Sequence, residues 1–142
     1  MPNHVTNRIR ISATIGLDEF KKKISTVSDQ EYRPIDFEKI IPPPDNMFTD
    51  NLGSNEREQC AREGRPNWYD WQTENWGTKW NAYSAHVESE WDGGDCCEME
   101  IHFDTAWSAP FPIIEALRAM DEVDGVWGHY IEEFAESAGV FR

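Results

Sequence analysis

The sequence predicts an α+β fold in two layers, and three observations lead there. Residues 4–12 and 97–104 alternate apolar and polar side chains, as strands with one buried face do. Residues 16–28 and the stretch beginning at Pro112 each carry one apolar stripe at steps of three and four, as helices lying on a sheet do. The elements then run strand, helix, insertion, strand, strand, helix, strand, an order that closes one sheet with helices on one side.

Taken in turn, Val5, Ile9 and Ile11 share one face of the first strand, while His4, Thr6, Arg8, Arg10 and Ser12 share the other. Leu17, Phe20, Ile24 and Val27 form the first helical stripe, with Asp18 and Glu19 in the first turn, where the helix dipole favours acids. Pro42, Pro43 and Pro44 force an extended segment and end any regular element. A weakly anchored helix follows from Ser54, read as its cap, to Glu63, stopped by Gly64 and Pro66. Asn67 caps a further helix that stops at Gly77. Residues 79–90 read as a strand of poor alternation, and 91–95, Trp-Asp-Gly-Gly-Asp, as a hairpin turn. In the next strand Cys97, Met99, Ile101 and Phe103 face in, and Glu98, Glu100, His102 and Asp104 face out. Pro110 and Pro112 suit the first turn of a helix carrying Ile113, Ile114, Leu117 and Met120. Residues 121–125 read as a loop and 127–135 as the last strand. This is the order of a ferredoxin-like βαββαβ sandwich, a single domain over residues 1–142. A Trp-rich insertion, roughly 29–78, separates the first helix from the second strand.

Composition narrows the function classes. The chain has 142 residues, 39% hydrophobic and 13% aromatic, enough for one packed core. No apolar run is long enough for a membrane helix, and the polar start Met-Pro-Asn-His has no charged-then-apolar leader, so no membrane span or signal peptide is expected. The three cysteines, Cys60, Cys96 and Cys97, form neither a disulfide framework nor a zinc spacing, and a reducing bacterial cytoplasm is the expected home. Net charge is −14, and it is uneven. Residues 1–66 hold 11 acids and 10 bases, whereas residues 67–142 hold 16 acids and 3 bases. Such a chain repels nucleic-acid phosphates and anionic lipid and attracts basic surfaces.

Several blocks together resemble one known family. These are Met1-Pro-Asn-His-Val-Thr-Asn7, Phe37-Glu-Lys-Ile-Ile-Pro42, Trp68-Tyr-Asp-Trp71, Glu74-Asn-Trp-Gly-Thr-Lys-Trp-Asn-Ala-Tyr83 and Phe103-Asp-Thr-Ala-Trp-Ser108. In this order, spanning nearly the whole chain, they resemble the YubB/Api-like ferredoxin-like family of phages, plasmids and integrated elements. The Trp-Gly-Thr-Lys-Trp-Asn string is the most specific part. The resemblance implies the fold and a mobile-element origin, and it brings no catalytic residue.

Three constellations carry chemistry. The acids Glu88, Glu90, Asp92, Asp95, Glu98, Glu100, Asp104, Glu132, Glu133 and Glu136 make an electronegative docking surface, or else a solvated face on which Arg8 and Arg10 pair with glutamates. Alternate residues of a strand are about 6.8 Å apart, whereas duplex DNA carries one charge per roughly 1.7 Å. Imitation of nucleic acid therefore needs several strands together. The aromatic block Trp68, Trp71, Trp76, Trp80 and Tyr83, with Trp107 and Lys79, is either a satellite core or a ligand or peptide cleft. Glu98, Glu100, His102 and Asp104 offer oxygen and nitrogen ligands, but side chains two apart on one strand run parallel, so no metal and no cofactor are expected. The expected function is thus that of a non-enzymatic accessory protein. Through its acidic surface it binds the basic surface of a host nucleic-acid-handling protein and inhibits it, as an anti-CRISPR or anti-restriction mimic does, without binding nucleic acid itself. A small-ligand or peptide module using the Trp-rich block is the first alternative, and a metal-dependent nuclease or hydrolase the second.

Overall fold

The structure is a computed structural model that describes residues 3–133 and 137–142. It is α+β, with five helices and a five-stranded antiparallel sheet. The long strands are β1 (His4–Ala13), β4 (Tyr83–Asp92), β5 (Cys97–Ala106) and β6 (Val123–Glu132), joined by a short β7 (Ala138–Val140) in the order β4-β5-β1-β6-β7. Two residues each form a separate small hairpin, β2 (Thr26–Val27) with β3 (Tyr32–Arg33). The helices are α1 (Leu17–Ile24), α2 (Phe37–Ile40), α3 (Ser54–Glu63), α4 (Trp68–Trp76) and α5 (Phe111–Ala119). No helix among the described residues is long and apolar enough to cross a membrane.

The alternation of β1 and β5 dictates the two sides of the sheet. Val5, Ile9, Ile11, Cys97, Met99, Ile101 and Phe103 are all buried on one face, where Leu17, Phe20 and Ile24 of α1 and Ile113, Ile114 and Leu117 of α5 cover them. The insertion joins that same layer. Phe37 of α2 meets Phe103 edge-to-face at 6.0 Å and Trp76 of α4 at 5.7 Å, and the Trp76 indole N–H donates to the Ile41 carbonyl at 2.9 Å. Asn81 stitches the end of the insertion to its start: it accepts from the Phe37 N–H at 3.0 Å and donates to Asp36 at 2.9 Å. Among the described residues, no helix covers the other face of the sheet. No residue of 42–66 lines the grooves around Glu98 and Glu100.

Several boundaries differ from the sequence expectation, each for a local reason. The first helix ends at Ile24 rather than near residue 28. The Ser25 N–H bonds to the Lys21 carbonyl and its hydroxyl to the Pro34 carbonyl, turning the chain into the β2–β3 hairpin and leaving Val27 exposed. The insertion between α1 and β4 accordingly spans 25–82. Ser54 is the first residue of α3 and not its cap; Gly53 holds that position without a side-chain bond. Asn67 does cap α4, its side chain accepting from the Asp70 N–H, and Gly64 and Gly77 end α3 and α4 in the left-handed conformation. The last long strand begins at Val123, because Val123 already pairs with Ala13 across an irregularity in the ladder. Part of the expected strand, 134–135, lies outside the described residues.

Candidate functional site

Register decides which polar groups meet. On the open face, residues opposite one another across β4, β5, β1 and β6 form rows: His86 with His102, Arg8 and His129; then Ser89 with Glu100, Arg10 and Trp127. Two irregularities in β4, between Tyr83 and His86 and between Val87 and Ser89, break its alternation and bring His86 and Glu88 toward β5. The result is a compact cluster. The His86 and His102 rings meet edge-to-face at 5.1 Å. Glu88 Oε2 lies 3.3 Å from His86 Nε2 and 3.8 Å from His102 Nδ1. The opposite ring nitrogen of His102, Nε2, donates to Glu100 Oε2 at 2.9 Å, while Arg10 holds the other oxygen of Glu100 at 2.9 Å. The bond from Arg10, seconded by that from His102, pulls the Glu100 carboxyl below its ordinary range and keeps it ionised.

Beside this cluster an open groove of about 260 Å³ runs over Arg8, Arg10, Glu100, His102, Trp127 and His129. Trp91, Trp127, Ile131 and Val140 are exposed on the same face, so a charged centre is flanked by apolar side chains.

The ten acids expected to form one surface fall into separate groups. Glu88, Glu98, Glu100 and Asp104 do share the open face. Glu90 and Asp92 sit opposite the buried Met99 and Cys97, so they belong to the helix side. There Glu90 pairs with Lys21 at 2.8 Å, and Asp92 accepts from the Leu17 N–H at the start of α1 at 3.3 Å. Glu132 lies opposite the buried Val5 and also faces the helix side. The Glu133 carboxylate accepts from the His4 N–H at 2.9 Å, at the opposite end of the sheet from the hairpin. Glu136 lies outside the described residues. Of the two arginines expected to pair with glutamates, Arg10 does so and Arg8 lines the groove.

The acids that do gather lie at one end of the sheet, where the β4–β5 hairpin meets the turn into β6. Asp95, Asp92 and Asp124 all act on the Cys96 thiol; burial first, then these charges, raise it above its ordinary range. Asp124 was not among the expected residues. No local pattern marks it, and only the pairing of Ala13 with both Cys97 and Val123 brings the start of β6 beside the hairpin.

The aromatic block divides as well. Trp76 is buried in the main core and Trp71 packs on it at 5.6 Å. Trp68 is half-buried and donates to the Asp50 carbonyl at 3.0 Å. Trp80 and Trp107 are exposed and hold Lys79 between them, its ammonium 4.3 Å and 3.9 Å from the two ring centres. Trp107 has a left-handed backbone, with φ of 69°. Tyr83 lies against Trp80 and hydrogen-bonds the His4 ring.

No family model, curated protein or solved structure matches this chain. The functional reading therefore rests on the residues.

Proposed function

We propose that this protein is a non-enzymatic accessory protein of a mobile element, with a ferredoxin-like fold of the YubB/Api-like kind. In this reading it docks on the basic surface of a nucleic-acid-handling host protein and inhibits it. The strand order β4-β5-β1-β6, with α1 and α5 on one side, supports the finer fold assignment, since it runs second-third-first-fourth among the strands of a βαββαβ unit. One observation carries the functional reading: Asp92, Asp95 and Asp124 all bear on Cys96 at the hairpin end of the sheet, and the stretch 80–117, which includes the hairpin with Asp92, Asp95 and Glu98, contains no Lys or Arg. Charge of one sign focused at one end steers association with a surface of the opposite sign, and it competes for the contacts that phosphates would make.

The test uses immobilised protein and host lysate at low and high salt, followed by the Asp95→Lys/Glu98→Lys variant. The expected outcome is a nucleic-acid-binding protein retained at low salt, released by salt or by duplex DNA, and lost with the charge reversal. Retention that ignores both salt and charge reversal would refute it. A ligand-binding reading keeps one foothold, the exposed Trp80–Lys79–Trp107 sandwich beside Tyr83, because Trp71 and Trp76 are committed to the core.

A further inference from the structure

The cluster on the open face has the composition and spacing of a transition-metal site, which goes beyond the docking reading and uses other residues. Two imidazoles and one carboxylate converge from two strands: one ligand atom each from His86, Glu88 and His102 lie within 4.8 Å of one another. In tetrahedral zinc coordination, bonds of about 2.0–2.1 Å place neighbouring ligand atoms about 3.4 Å apart. The Glu88 oxygen already sits 3.3 Å and 3.8 Å from the two histidine nitrogens. With every pair of ligand atoms within 4.8 Å, closing the triangle takes side-chain adjustments of about 1.4 Å at most, and His86 and Glu88 are exposed enough to make them.

His102 is also oriented for ligation. Metal-bound histidines commonly donate their other ring N–H to a carboxylate, which fixes the tautomer and raises the basicity of the ligating nitrogen. Here Glu100, anchored by Arg10, accepts the hydrogen bond from the Nε2–H of His102, which leaves the Nδ1 lone pair directed at the Glu88 side. Arg10 is occupied in that pair, and Arg8, opposite His102 in the register, lines the neighbouring groove. Imidazole with carboxylate suits zinc and its borderline neighbours and not magnesium, which favours an all-oxygen octahedron.

We propose that His86, Glu88 and His102 bind one divalent ion of the zinc class, with Glu100 as the positioning residue for His102 and the remaining coordination positions open to water. The experiment titrates chelator-treated full-length protein with Zn²⁺, and separately with Mg²⁺, by calorimetry, and with Co²⁺ by visible absorption. The expected result is one Zn²⁺ per chain, no heat with Mg²⁺, and Co²⁺ bands without the strong near-ultraviolet absorption of thiolate ligation. His86→Ala, at an exposed position, abolishes the Zn²⁺ isotherm. Glu100→Ala weakens it about 10–100-fold, and Cys96→Ser and His129→Ala leave it unchanged. The proposal falls if no saturable Zn²⁺ binding occurs, if His86→Ala binds as the wild type does, if Mg²⁺ binds equally well, or if binding follows Cys96 or His129. Circular dichroism of each variant confirms that the fold is retained.

Discussion

Replacing Trp76 by Ala, with Trp80→Ala as its counterpart, separates the two halves of the aromatic block. Trp76 is 1% exposed, lies against Phe37 and Trp71, and donates its indole N–H to the Ile41 carbonyl. A buried Trp hides about 150–250 Å², which at about 25 cal/mol per Å² stabilises by about 4–6 kcal/mol. Truncation also strips the Ile41 carbonyl of its donor, at about 1 kcal/mol or more, while partial collapse of the cavity returns some of the loss. The expected destabilisation is about 5 kcal/mol, a large part of the total for a domain of this size. Trp80 is 40% exposed and its truncation loses a partial cation–π contact, so about 1 kcal/mol is expected. Urea unfolding followed by far-ultraviolet circular dichroism measures both, and thermal midpoints should fall by about 15 °C and about 3 °C respectively. A Trp76→Ala loss below about 1.5 kcal/mol would falsify the view that the insertion shares the main core.

Three other outcomes follow from local geometry. Gly128→Ala would place a Cβ 2.0 Å from the Arg8 carbonyl oxygen and 2.9 Å from the Ile9 Cα, both backbone of a central strand, so it should cost several kcal/mol or prevent soluble expression, whereas Gly64→Ala, with open space around it, should cost about 1 kcal/mol. The Tyr83 phenol is pushed above its usual range by burial and by the Asp104 and Glu133 charges. Because the folded value is raised, the stabilisation is complete below about pH 10 and fades as pH climbs through the folded value; the stability gap between wild type and Tyr83→Phe should narrow over that range, and a gap independent of pH contradicts the assignment. The Cys96 thiol, raised by burial and its acidic neighbours, should react slowly with a disulfide reagent near neutral pH and faster in salt or in Asp95→Asn; rates unmoved by either mean that the hairpin acids do not act on it.

Legibility followed regularity. The ten residues of β5 sit in a central position with one dry face, so a period of two is written into Cys97, Met99, Ile101 and Phe103 and cannot be shifted without burying glutamates. The stripes of α1 and α5 read well over Leu17, Phe20 and Ile24 and over Ile113, Ile114 and Leu117, whereas Val27, counted in the first, lies beyond the helix and is exposed. β4 is different. As an edge strand with two irregularities it is released from strict alternation, and its sequence reads as a poor strand because its ladder is an interrupted one. That is why His86 escaped notice. Its partner is 16 positions away, and only the slipped register puts the two rings face to edge. The assumption that these acids share a surface failed at Glu90 and Asp92, because the irregularity between Val87 and Ser89 turns them to the face opposite Glu88, and at Glu132, because it pairs with the buried Val5.

The interruptions of β4 also bear on how copies of this chain behave together. A straight ten-residue edge offers a row of unpaired N–H and C=O groups to any neighbouring strand, and such edges seed aggregation. Here the local kinks, with Glu88, Glu90 and Asp92 spaced along the strand, spoil that template, while at the far edge β7 is only three residues long. The irregularity that builds the histidine pair is therefore also a guard against strand-to-strand growth. Removing Glu88, the extra residue between Val87 and Ser89, would leave His86 opposite His102 but take the carboxylate from the cluster and make that part of the edge a regular ladder for the next molecule.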